Sequence, residues 1–122
     1  LAIYGAAAHD VILEAAGIKR ATQLIVALPH SINRIPLMTA ARQLNSRCKI
    51  FIRARYIRER DELVQGGAYA ACFEEAEAAV ALTQGVLADL GIDPATIAKE
   101  IDRVRAETTG APVATMVPGG KV

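Results

Sequence analysis

The chain has 122 residues, a span that suits one compact domain and not two. Hydrophobic residues make up 52% of it and the formal net charge is +1, so it can fill a core but gives no electrostatic ground for a nucleic-acid binder. No stretch reaches the roughly 18 apolar residues of a bilayer span, and the first residues lack the basic leader of a signal peptide.

Residues 1–4 are a short apolar run that reads as a strand ended by Gly5. From 9 to 16, Val11, Ile12, Ala15 and Ala16 recur at helical spacing, and Gly17 supplies the stop. Residues 23–28 are almost continuously apolar up to Pro29, the habit of a strand buried on both faces of a parallel sheet. A helix over 34–44 follows, with Leu37, Met38, Ala41 and Leu44 inward. Asn33 as its N-cap puts Pro36 in the first turn, where a missing N–H costs little.

Residues 49–52 form the next strand and run into Arg53, Ala54 and Arg55. A charged helix over 57–65 closes at Gly66 and Gly67, and 68–73 is another short strand. The helix over 75–90 carries the clearest stripe: Ala76, Ala79, Val80, Thr83, Val86, Leu87 and Leu90. Gly91 ends it, and Asp93 with Pro94 starts a last helix whose inner face is Ile97, Ile101 and Val104. The chain divides into an α/β unit over 1–90, a C-terminal helix over 91–107, and a tail over 108–122 rich in Gly, Pro and Thr that is expected to be disordered. Strands alternating with helices predict an α/β layer fold with a parallel sheet and right-handed crossovers.

Cys48 and Cys72 belong to no CxxC pattern, which fits inert thiols in a reducing compartment. With no initiator Met and an immediate apolar run, the chain is expected to begin inside a longer protein.

Three segments carry a resemblance. Tyr4 to Ala7 followed by VILEAAG ending at Gly17, LIVALP ending at Pro29 with Asn33 beyond, and IFIRAR ending at Arg55 with Leu63 and Gly67-Ala68 stand in order. Over residues 1–90 they resemble the nucleotide-binding domains that regulate potassium conductance, and the last is similar to the Kef-type potassium/proton antiporter branch. The resemblance implies a Rossmann-like regulatory domain on the cytoplasmic side of the inner membrane, truncated at its N-terminal βαβ unit and not an enzyme. It implies a homodimer attached to a membrane transport domain. AMP or NAD(H) would be the ligand of the complete domain, with no tight binding by this fragment. The GxGxxG cradle and the ribose-binding acid of such folds have no counterpart in the spacing of Gly5, Gly17, Gly66 and Gly67.

The same resemblance nominates the ligand-binding residues. Gly5, Ala6 and Ala7 stand where the family has Gly and then an Asp near the adenine, so Ala6 leaves only backbone contacts. Ala27, Leu28 and Pro29, with Asn33, close a strand at the end where open α/β sheets bind ligands. Arg53 and Arg55 share a face by period-two spacing and are candidates to clamp a phosphate or carboxylate. Their plainer role is pairing with Glu59, Asp61 or Glu62. His9, His30 and Ser31 make a weak case for metal or triad chemistry. Glu74, Glu75 and Glu77 are explained by the positive end of the helix they open. A fragment of an NAD(P)-dependent dehydrogenase and a degenerate dimerisation module without ligand are the alternatives.

Overall fold

Three parallel strands make the centre of the molecule: β1 (Gln23–Val26), β2 (Lys49–Ala54) and β3 (Ala70–Phe73), in the order β1-β2-β3. Leu24 pairs with Ile50 and Val26 with Ile52, and Ile52 in turn pairs with Ala71. The computed structural model describes residues 2–109. Around the sheet lie α1 (Asp10–Ala15), α2 (Ile35–Leu44) and α3 (Arg60–Gln65), with single 3₁₀ turns at Ile18–Arg20 and Ile57–Glu59. A hairpin of two longer helices follows, α4 (Glu74–Asp89) and α5 (Pro94–Thr109). The α/β class and the parallel sheet are as the sequence predicts.

One face of the sheet holds the core. Val26, Ile50, Ile52, Ala54, Ala71 and Phe73 meet Leu13 of α1, Leu37, Met38 and Ala41 of α2, and Leu63 of α3. Burying each of the large side chains contributes about 1.5–3 kcal/mol. The alternate positions are different: Ile25 is 77% exposed, Phe51 and Cys72 are half-buried, and Arg53 is exposed. The expectation of burial on both faces therefore fails. The strands advance in one direction, so right-handed crossovers put α2 and α3 on the same side.

Residues 2–4 are not a strand, which corrects the first element of the expected order. A strand exists only with a neighbour to hydrogen-bond, and β1 pairs with β2 alone.

Several boundaries differ by a residue or two. Arg34, not Asn33, is the N-cap of α2 by backbone position, yet the Asn33 side chain caps it: Oδ1 accepts the Ile35 N–H at 3.0 Å. α3 ends in Gly67 at φ 92, where the Gly67 N–H donates to the Val64 carbonyl and the Ala68 N–H to Leu63, both at 3.0 Å. A Cβ there would also press on Arg42 Nε at 3.0 Å. The last helix runs to Thr109, so residues 108 and 109 are helical and not tail, and residues 110–122 lie outside the described residues.

Two polar side chains fasten the loops. Arg42 donates from Nη1 to the carbonyls of Ser46 and Cys48, each at 2.9 Å, and from Nη2 to that of Gly67. Asn45 donates from Nδ2 to the carbonyls of Ile18 and Ala21, each at 2.9 Å, while its Oδ1 accepts the Arg47 N–H at 3.1 Å. Both cysteines are free thiols, Cys48 buried and Cys72 half-buried.

Candidate functional site

In a parallel sheet every strand-to-helix turn lies at the carboxyl ends of the strands, and ligands gather there. Here the turn after β1 carries Ala27, Leu28, Pro29, His30 and Asn33, and the turn after β2 carries Arg55 and Tyr56. A cavity of about 280 Å³ opens between them, lined among others by His30, Asn33, Arg34, Glu59 and Glu62.

Its wall is a small polar network. Arg34, only 6% exposed, donates from Nη2 to Glu59 Oε2, and its Nε is buried without a partner. Glu59 Oε1 accepts the Tyr56 N–H at 2.9 Å and lies 3.6 Å from His30 Nδ1. The His30 and Tyr56 rings are perpendicular to each other, with centroids 5.0 Å apart and an angle of 88° between their planes. Arg58 and Arg55 lie over the Tyr56 ring, at 4.5 and 5.4 Å. Because the Arg34 charge is already answered by Glu59, the network is a braced wall more than a ready anion clamp.

Of the nominated residues, Asn33 lines the cavity and Ala27, Leu28 and Pro29 lead into it. Leu28 also packs against the core, and the Pro29 carbonyl accepts the Ile32 N–H at 3.0 Å. Gly5 lies against Ile12, where any Cβ would overlap that side chain. The Ala6 carbonyl accepts the His9 N–H at 2.9 Å, and Ala7 packs on the core. Arg53 and Arg55 do not line the cavity. Arg53 lies on the open face and pairs with Glu74, not with Glu59, Asp61 or Glu62: the register sets Arg53 opposite Cys72, and Glu74 follows two residues later. Arg55 lies one residue beyond β2, where strand alternation no longer fixes its direction.

Of the residues that build the wall, His30 was weighed only for metal or triad chemistry and Glu59 only as an ion-pair partner of Arg53 and Arg55, while Arg34 was not singled out. Glu59 stands three residues after Tyr56 at the opening of a helical turn, the spacing at which a Glu reaches back to a free N–H. That signal was present in the sequence. The burial of Arg34 was not, because a lone Arg near a helix start is ordinarily solvated.

The rim also connects to α4. The Glu75 N–H donates to the Arg55 carbonyl at 3.2 Å, and Glu75 Oε1 accepts the Ile57 N–H at 2.6 Å. The first turn of α4 is thereby fixed to the segment that ends in Glu59.

A model of the TrkA-N domain matches residues 1–74. The chain belongs to the TrkA-N family. TrkA-N domains are regulatory nucleotide-binding domains of potassium transport systems, and they bind NAD(H)-type nucleotides. No curated protein matches the chain. The matched region stops at Glu74, the first residue of α4, so the helical hairpin lies beyond it.

The described residues do not fit the pyrophosphate of such a ligand. A helix N-terminus holds phosphate through free N–H groups. In α2 the Ile35 N–H is taken by Asn33 and Pro36 has none. α4 opens with Glu74, Glu75 and Glu77, whose charges repel an anion. Ala27 to Pro29 and Gly5 to Ala7 offer backbone and apolar contacts of the kind a base uses. Among the described residues no group of three His, Cys, Asp or Glu could hold a metal ion, and no helix is long and apolar enough to cross a membrane.

Proposed function

We propose that this TrkA-N domain is the ligand-sensing regulatory part of a monovalent cation/proton antiporter of the Kef type. It stands on the cytoplasmic side of the membrane, joined to a transport domain, and gates transport through dimerisation without doing catalysis. The observation that carries the proposal is the fixed connection between the rim cavity and α4. Glu75 binds the segment between Arg55 and Ile57 at two points, and Glu59 of the cavity wall follows two residues later. Further along α4, Leu82, Val86 and Leu90 are exposed, and a groove of about 290 Å³ is lined by Leu82, Thr83, Val86 and Leu87. A second copy covers that stripe. AMP or NAD(H) at the rim shifts the pairing only as far as it binds one arrangement more tightly than the other.

Sedimentation velocity over a concentration series tests it. Dimerisation is expected for the wild type, and its loss in Val86→Asp, whose site is solvent-exposed and outside the core. A monomer at every concentration, with or without AMP, ATP, NAD⁺ or NADH, overturns the proposal. The poor seat for a pyrophosphate favours a second reading, a dimerisation module without ligand. Calorimetry with the same four nucleotides separates the two, since dimers that give no binding heat support the second.

A further inference from the structure

The opposite rim of the sheet, at the amino ends of the strands, has a separate character. A cleft of about 460 Å³ is lined by Lys19, Arg20, Arg47 and Lys49 together with Thr22, Gln23 and other neutral residues. Four of the 14 Lys and Arg of the chain line it and no Asp or Glu does, although the whole chain carries only +1. Lys19 pairs with Glu14 at 2.7 Å; Arg20 and Arg47 have no carboxylate partner among the described residues.

The cations are held by structure. Lys19 and Arg20 lie on the Ile18–Arg20 turn and Arg47 on the loop before β2, and Asn45 binds both segments: its Nδ2 reaches the carbonyls of Ile18 and Ala21, its Oδ1 the Arg47 N–H. Arg42 fixes the same loop through Ser46 and Cys48. Lys49 is paired across the sheet with Gln23 and sits 4.5 Å over the Tyr69 ring, its Nζ 3.5 Å from the Tyr69 hydroxyl. With only Lys19 answered by an acid, the positive charges gathered at this cleft repel one another, and an anion of several charges relieves that repulsion.

We propose that this cleft is a second ligand site, taking an anion that bears two or more phosphate charges. It lies at the other end of the strands from the rim cavity and does not depend on the function proposed for that cavity. Arg20 and Arg47 supply planar donors to phosphate oxygens, Lys19 and Lys49 supply point charges, and Thr22 and Gln23 supply neutral donors. The phosphates come from a soluble compound or from lipid headgroups.

Titration calorimetry with inorganic tripolyphosphate at low salt tests the site, in the wild type, Arg20→Gln/Arg47→Gln, and the control Lys99→Gln/Arg103→Gln. Both pairs remove two positive charges from exposed positions. The expected result is wild-type binding that weakens with salt, about tenfold weaker in the cleft pair and changed less than about twofold in the control. Equal loss in both pairs, or no loss in the cleft pair, shows a general charge effect and overturns the site. Cosedimentation with phosphatidylglycerol vesicles separates the sources. Vesicle binding lost in the cleft pair and displaced by tripolyphosphate assigns the headgroup, whereas tripolyphosphate binding without vesicle binding assigns a soluble anion. Binding of neither overturns the proposal. Matching thermal unfolding of the variants excludes a folding defect as the cause.

Discussion

Replacing Glu59 with Gln removes the carboxylate that, among the described residues, answers the buried guanidinium of Arg34. At 6% exposure Arg34 cannot regain its hydration without opening the rim. Breaking a buried pair from one side costs about 3–5 kcal/mol, against about 5–15 kcal/mol for the stability of a whole domain. Gln keeps an oxygen for the Tyr56 N–H, which Glu59 Oε1 accepts at 2.9 Å, so Glu59→Ala is expected to cost about 1 kcal/mol more. Removing both partners, as Arg34→Met/Glu59→Leu, should recover most of the loss, since apolar groups leave no charge stranded. Urea unfolding of these three variants, of the single Arg34→Met and Glu59→Leu, and of the wild type reads these differences as midpoint shifts at unchanged slope. A Glu59→Gln loss below about 0.5 kcal/mol, with additive single effects, would falsify the view that a buried charge pair holds the cavity wall.

Arg42→Met keeps the aliphatic stem but strips the donors from three carbonyls, at Ser46, Cys48 and Gly67. A loss of about 2–3 kcal/mol is expected in urea, and wild-type stability would mean that water replaces the guanidinium. Asp93 caps α5 by accepting the Thr96 N–H at 3.0 Å and the Thr96 hydroxyl at 2.6 Å, and these bonds hold its carboxyl below the ordinary value. Its stabilising effect is therefore fully present above the ordinary carboxylate value and is lost as pH falls through the lower folded one. The thermal-midpoint gap between wild type and Asp93→Ala should close in acid; a gap independent of pH contradicts the cap. Desolvation raises both thiols, Cys48 against the opposing Arg42 charge, and Cys72 with help from Glu77 and Glu74. At neutral pH a disulfide reagent should label Cys72 slowly and Cys48 only on unfolding, with the Cys72 rate still climbing above the ordinary thiol value. The unfolded chain releases these protons first, so alkaline pH favours unfolding; rapid labelling of both at neutral pH would refute the burial argument.

The elements that pack on the core side were legible from local signals. Leu37, Met38, Ala41 and Leu44 gave the inner face of α2; the first three are buried and Leu44 is half-buried. Ile97, Ile101 and Val104 likewise gave the face of α5, with Ile101 buried and the other two half-buried. The stripe of α4 was legible as a stripe but not as two halves: Ala76 and Val80 are buried, while Val86 and Leu90 are exposed. Periodicity states that a face is apolar and not what covers it. The run from 1 to 4 failed as a strand for a related reason, since strand pairing is a long-range property. At the rim, Asn33 was nominated through the resemblance of its segment, but Arg34 and Glu59 come together across 25 residues. Nothing local announces such a pair.

One feature of topology explains why the molecule has two chemically distinct ends. The strands are parallel and consecutive, so every strand-to-helix turn lies at the carboxyl rim and every helix-to-strand loop at the amino rim. Sequence position therefore decides which rim a residue serves. Of the residues after a strand, His30, Arg34 and Glu59 line the cavity, while Tyr56 and Glu75 bind the segment that carries its wall. Residues before a strand, Lys19, Arg20 and Arg47, converge on the basic cleft with Lys49 at the strand's first position. The carboxyl rim mixes acids and bases that neutralise one another through direct pairs, whereas the amino rim gathers positive charge with no acid lining the cleft. A near-zero net charge conceals this division because the excess at one rim is offset by acids on the helices. Charge has to be counted by strand end before it says anything about what the domain binds.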